Sequence, residues 1–336
     1  MTQARSQLVP AGADGLYHCI TRCVRRAWLC GVDPVTGKDF DYRRDWIEDR
    51  LADLAEIFAV SIWSYAVMSN HVHAVIEIRA EAARTWSVQE VAERWLRLYP
   101  TRDGSVESAV EVLAGNPARI EVLRERLCSL SWFMKSLNEP IARRANAEDE
   151  CTGRFWEGRF TSQPLLDKAA VLSAMAYVDL NPIRAGITDS LEGSRHTSIV
   201  KRIEAEAADR TGSEASNGGK DEPGDSSQAG RAPLTAVLGL SGSLVAAISS
   251  REYIQLVDLA GRDWRPGKRG RISGPAPAVL AKLGIAPERW SDHVRAVKPK
   301  AGFWRAIGSE EALIAKAAAM GQHWLRGLNV ARSLQR

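Results

Sequence analysis

Between Ala59 and Ile78 the chain reads as two strands joined by a short turn at Ser69-Asn70, and this hairpin limits the folds available to it. The second strand carries His71-Val72-His73-Ala74-Val75-Ile76-Glu77-Ile78. Strand side chains alternate between faces. His71, His73 and Glu77, with Val75, therefore share one face, and Val72, Ala74, Ile76 and Ile78 share a core-like face. A helix would turn the two histidines roughly 200° apart. A strand sets both imidazoles side by side, close enough to hold one metal ion. Paired histidines on a strand are also ordinary polar surface, and spacing alone leaves both readings open.

The flanking segments extend the pattern. Asp14–Val24 reads as a first strand, with Tyr17, Cys19 and Thr21 alternating with His18, Ile20 and Arg22. Asp41–Phe58 has helical periodicity, its apolar face being Trp46, Ile47, Leu51, Leu54 and Ile57. Residues 80–120 look like a polar helical insertion, and Glu121–Asn146 like one long helix with Pro140 near its end. Gly158–Leu165 is strand-like. Asp167 can cap a helix from Lys168 to about Leu180, which Pro182 ends. Strand, helix, strand, strand, helix, strand, helix is the order of an α+β fold: a ferredoxin-like antiparallel sheet with helices on one face. Residues 1–204 form this domain. Residues 205–233 are poor in large apolar side chains and read as a flexible linker. Residues 234–336 read as a helical C-terminal region, with helices over Arg251–Leu259, Pro277–Leu283 and Ser309–Leu325.

Apolar residues make up 45% of the 336, enough for a packed core, and the formal charge is only +4. Net charge therefore does not by itself indicate nucleic acid; local clusters matter more. One lies at Gly261–Arg271, with five basic residues, one acid and a tryptophan. Arg265, Lys268 and Arg269 are its candidate phosphate contacts, the alternative being a solvated basic loop. No apolar run approaches the ~20 residues of a membrane helix, and the N-terminus lacks a signal-peptide core, so a soluble cytoplasmic protein is expected. Five cysteines, an odd number without a Cys-x-x-Cys pair, argue for thiols rather than a disulfide framework. No nucleotide-binding Gly-x-x-x-x-Gly-Lys-Ser/Thr loop occurs.

Two further stretches stand out: Phe155-Trp156-Glu157-Gly158-Arg159-Phe160, and Tyr177 to Gly186, which reads Tyr-x-x-x-Asn-Pro-x-x-Ala-Gly. With His71-Val72-His73 these strongly resemble the single-tyrosine HUH transposases, in particular the REP-associated tyrosine transposases and their insertion-sequence relatives. The resemblance covers roughly residues 12–200. It implies DNA strand cleavage with Tyr177 as nucleophile, a 5′-phosphotyrosine link and a free 3′-OH. It also implies Mg²⁺ or Mn²⁺ on His71 and His73, with Asn181 as third ligand. Ser173, Tyr177 and Asn181 fall on one polar helical stripe beside the apolar stripe Val171, Ala174, Met175 and Val178. Arg154, Arg159 and Arg184 are candidate phosphate contacts, and Trp156 and Trp63 candidate stacking partners for unpaired bases. The expected partner is single-stranded or hairpin DNA, with no membrane, and the protein acting as monomer or homodimer. The competing reading is a domesticated hairpin-DNA-binding protein without transposition activity. A metal hydrolase using the same histidines would leave Tyr177 without a role.

Overall fold

The runs with period-two alternation form strands: β1 (Gly15–Arg22), β2 (Val60–Val67), β3 (His71–Ile78), β4 (Thr161–Leu165) and a two-residue β5 (Leu238–Gly239). They make one sheet in the order β4-β1-β3-β2-β5. β1 pairs antiparallel with β3 and β4, and β2 antiparallel with β5. The first four strands thus take the order of a ferredoxin-like split βαβ sheet, as the element order predicted. Pro164 sits in β4, an edge strand, where a missing N–H costs no ladder bond. Gly239 is required in β5: its φ is +89°, and a Cβ there would come within 2.4 Å of the Val60 carbonyl oxygen.

The computed structural model describes residues 8–10, 12–24, 29–33, 36–101, 104–216, 234–240, 248–262, 279–297 and 305–335. It divides into two compact units. One holds Met1–Trp63, Val67–Leu165 and Leu238–Leu240; the other holds Ser64–Ala66, Leu166–Val237 and Ser241–Arg336. Residues 217–233 of the expected linker, and the basic positions Arg265, Lys268 and Arg269, lie outside the described residues.

In the first unit, β3 buries Val72, Ala74, Ile76 and Ile78 as its alternation requires. Val75 and His73, on the opposite face, are just as buried. Both faces of the central sheet are therefore withdrawn from water, and the histidine face is not the polar surface that spacing alone allowed. The helix Arg43–Ile57 buries Ile47, Leu51, Leu54 and Ile57. It also buries Arg43 completely, in an ion cluster with Glu148 and Asp149 at the end of the helix Leu130–Glu148. The long helix expected over Glu121–Asn146 is two helices, Pro117–Leu127 and Leu130–Glu148. The break comes where Ser129 turns its side chain onto the Trp132 N–H and restarts the helix. Pro140 is accommodated inside the second of these.

The second unit is built around the helix Lys168–Asp179. Asp167 caps it, its carboxylate accepting the Ala170 N–H at 2.8 Å. Every residue from Ala170 to Asp179 is buried. The helices Ser250–Gly261 and Trp290–Ala296 pack on it. Trp290 is wholly enclosed, and its indole N–H donates to the Leu256 carbonyl at 2.8 Å. Ser250–Gly261, Val279–Lys282 and Glu310–Ala319 fall within or near the helices read from periodicity. Among the described residues no helix is long and apolar enough to cross a membrane.

Candidate functional site

The histidine pair stands just after a pinned turn. Cys23 donates its N–H to the Asn70 carbonyl at 3.0 Å, and Leu29 and Cys30 both donate to the Ser69 carbonyl at 3.1 Å. Met68 N–H closes the hairpin onto the His71 carbonyl at 2.9 Å. These bonds fix where β3 begins, and therefore which side chains share a face. The His71 and His73 rings meet edge to face, centroids 4.7 Å apart and planes at 78°. His73 is 1% exposed, whereas His71 is half-buried.

Each ring is tethered through its Nδ1. His71 Nδ1 lies 2.6 Å from Asn70 Oδ1, and His73 Nδ1 lies 3.0 Å from His18 Nε2. His18 Nδ1 in turn lies 2.9 Å from Gln163 Oε1. A metal-ligating histidine characteristically holds a partner through one ring nitrogen and binds through the other. Here the second nitrogen is Nε2 on both rings. The donor set fits a divalent cation: His71 and His73 would hold it through Nε2.

Glu77 shares the strand face but not the site. It lies four residues beyond His73, roughly 13 Å along a strand. Its carboxylate accepts the Trp63 indole N–H at 3.0 Å and faces Arg79 at 3.8 Å. Burial raises its carboxyl pKa above the usual range, against the lowering influence of those two partners. Among the described residues no carboxylate or thiol completes a three-ligand cluster with the pair.

In the second unit, Tyr177 sits on the Lys168–Asp179 helix and is only 1% exposed. The polar stripe of Ser173, Tyr177 and Asn181 is thus buried like the apolar stripe beside it, although its composition suggested a solvent-facing side. The Arg184 guanidinium lies 4.2 Å from the centre of the Tyr177 ring. Asn181 begins a short helix, Asn181–Arg184, after the break that Pro182 imposes. Its amide nitrogen donates to the Tyr177 and Val178 carbonyls at 3.0 and 3.3 Å. With both N–H groups directed at the preceding turn, its Oδ1 is the end left to act as an acceptor or ligand.

The remaining candidates are distributed unevenly. Arg154 and Arg159 are exposed, as phosphate contacts must be. Trp156 is half-buried, and its indole donates to the Asn138 carbonyl at 2.8 Å. Trp63 is 1% exposed in a strand whose every residue is buried, so it has no free ring face for a base. Arg262, at the start of the basic run, is paired with Asp258 at 2.9 Å.

Sequence reasoning misses Gln163 and Asn70, and leaves His18 without a role. Thr161–Leu165 reads Thr-Ser-Gln-Pro-Leu, in which nothing local sets Gln163 apart. Its role depends on a strand register no local pattern reveals.

No family model matches the chain, and no curated protein matches it. One solved structure, of a REP-associated tyrosine transposase bound to a REP hairpin, aligns with 61% of this chain and 86% of its own, at 11% identity and a TM-score of 0.36.

Proposed function

We propose that this protein cleaves and rejoins single-stranded or hairpin DNA through a covalent bond to Tyr177, with Mg²⁺ or Mn²⁺ held by His71, His73 and Asn181. The observation that carries the reading is the tethering of both histidines through Nδ1, which prepares two Nε2 atoms for one cation. A cation held there would supply Lewis-acid polarisation of the scissile phosphate, an effect worth several kcal/mol.

The Tyr177 hydroxyl attacks the phosphorus and loses its proton as it does so. A bond forms between Oη and phosphorus, the bond to the 3′ oxygen breaks, and that oxygen leaves as a 3′-OH. The 5′-phosphotyrosine retains the energy of the broken ester, so a 3′-OH can reverse the step and join strands without a nucleotide triphosphate. Arg184, against the Tyr177 ring, supplies positive charge for the phosphate backbone, and the exposed Arg154 and Arg159 add to it. Trp156 stacks on an unpaired base. Arg265, Lys268 and Arg269 extend the backbone contacts.

Two imidazoles and an amide bring no negative charge to a divalent cation. The scissile phosphate would supply it, so a cation should bind weakly to the protein alone and more tightly with DNA. Equal Mn²⁺ affinity with and without DNA, measured by calorimetry, would contradict this.

The decisive test incubates the protein with Mn²⁺ and labelled hairpin DNA, then seeks an adduct that survives denaturation. Wild type forms it and Tyr177→Phe does not. No adduct across many hairpin sequences supports a DNA-binding protein without cleavage activity. Cleavage that persists in Tyr177→Phe assigns the nucleophile to water.

A further inference from the structure

The β1–β3 register places Ile20 opposite His73 and His18 opposite Val75. The β1–β4 register places His18 opposite Gln163. Residues directly opposite in an antiparallel pair share a face, and diagonal neighbours are within reach of long or aromatic side chains. Gln163, His18 and His73 therefore form a line across three strands, all on the face that carries His71. All three are buried, each 1% exposed. The His18 and His73 rings lie nearly parallel, 13° between planes, with centroids 5.2 Å apart.

The chemistry of this line is directional. An amide oxygen only accepts, so Gln163 Oε1 accepts a hydrogen bond from His18 Nδ1–H at 2.9 Å. A neutral imidazole with its proton on Nδ1 offers a lone pair at Nε2. His18 Nε2 then accepts from His73 Nδ1–H at 3.0 Å. With both rings in their neutral form, the His73 lone pair falls on Nε2, a buried atom. Asn70 Oδ1 imposes the same state on His71 in one step, by accepting its Nδ1–H. The reverse orientation of the Gln163 amide would drive the opposite outcome: a proton on His73 Nε2, and a ring that cannot ligate until it rearranges.

We propose that His18 is a positioning residue, backed by Gln163, that locks His73 in the Nδ1–H tautomer and aims its Nε2 lone pair at a divalent cation. The proposal rests on the assignment of His71 and His73 as metal ligands. It adds a fixed protonation pattern to the free protein and a role for two residues that never touch the cation.

The primary test needs no variant. In metal-free wild-type protein with ¹⁵N-labelled histidine, nitrogen-to-carbon-bound-proton correlation spectra report each ring's tautomer, and His73→Gln identifies the His73 signals. The expected result is a protonated Nδ1 and an unprotonated Nε2 on His73. A proton on His73 Nε2 overturns the proposal. The second arm is Mn²⁺ affinity in the presence of hairpin DNA. His18→Phe and Gln163→Leu should weaken it about 10- to 100-fold, the usual cost of losing an outer partner of a metal ligand. Gln163→Glu keeps an acceptor for His18 and should restore most of the loss. Affinity unchanged in a folded His18→Phe overturns the proposal. Wild type that binds no Mn²⁺ with or without DNA removes the metal assignment itself. Wild type that binds Mn²⁺ but shows the reversed tautomer removes only the relay.

Discussion

The Tyr253 hydroxyl donates to Asp179 Oδ2 at 2.5 Å, on the same helix as Tyr177 and two residues beyond it. Ser198 donates to the other carboxylate oxygen, also at 2.5 Å. Asp179 is fully buried, and burial pushes its carboxyl up to about 6 despite both hydrogen bonds and the nearby Arg202. The folded protein therefore holds a proton here that the unfolded chain releases as pH rises through its ordinary carboxyl value. Where the native state binds more protons, stability falls as pH rises. Between the ordinary value of 3.8 and about 6, this group should cost on the order of 3 kcal/mol, and no further above that. Asp179→Asn removes the titration, so its urea-unfolding profile should lose that decline relative to wild type when both are measured in chelator. Parallel profiles from about pH 4 to 6.5 would show the carboxyl to be unperturbed.

The C-terminal helices form part of the core around Tyr177's helix within the second unit. Trp290, at 0% exposure, closes that core. Trp290→Ala should cost about 3–5 kcal/mol, the range for large aromatic truncations. It should also lower the thermal midpoint and open the Lys168–Asp179 helix to proteolysis. A chain ended after Ala205 should go further and leave that helix without its cover. A truncated protein with the wild-type melting temperature would show the C-terminal segment to be an accessory rather than a part of the core.

The hairpin and its histidine face are legible in the sequence because alternation is local: seeing which residues share a face needs only neighbours. The helix cap at Asp167 and the stop at Pro182 are legible for the same reason. The burial of Tyr177 is not. Serine, tyrosine and asparagine at four-residue spacing look like a wet stripe, yet the whole helix is buried, and among the elements packed on it are the helices Ser250–Gly261 and Trp290–Ala296, far along the chain. The encounter of His18 with His73 spans 55 residues and depends on register, as does the partner of Gln163. Trp63 misleads for a related reason: β2 is buried on both faces, so its alternation carries no signal of which side meets solvent.

Arg43 is another residue that periodicity hides. It opens the Arg43–Ile57 helix, where a charged side chain normally reaches water, yet its side chain is 0% exposed. The guanidinium bonds Glu148 through Nε at 2.8 Å and also pairs with Asp149. Burial alone would lower its pKa, but the two carboxylates outweigh that and raise it. Those carboxylates keep some access to water, so losing their partner is milder than orphaning a sealed charge. Arg43→Met should cost roughly 2 kcal/mol, mostly through charge-assisted hydrogen bonds. A loss that vanishes in about 1 M salt would identify a screened surface pair instead.

Cysteine reactivity gives the last prediction. Cys19, Cys23, Cys30 and Cys128 are buried, while Cys151 is exposed. Burial pushes the Cys23 thiol up to about 11 and the Cys30 thiol up to about 12, and raises Cys128 as well. The thiolate is the nucleophile, so at pH 8 only about 1 in 10,000 Cys30 side chains is in the reactive form. Iodoacetamide at pH 8 should therefore add one label to the native protein, at Cys151, and five after denaturation, read by intact mass and peptide mapping. The same shifts set the alkaline limit of the fold. The unfolded chain ionises its thiols near 9 while the folded chain keeps its protons at Cys23 and Cys30 until about 11 and 12, so stability should fall as pH rises above 9. Rapid labelling of Cys23 or Cys30 in the native protein would mean that the segment pinning the Ser69-Asn70 turn opens readily, and with it the start of the histidine strand.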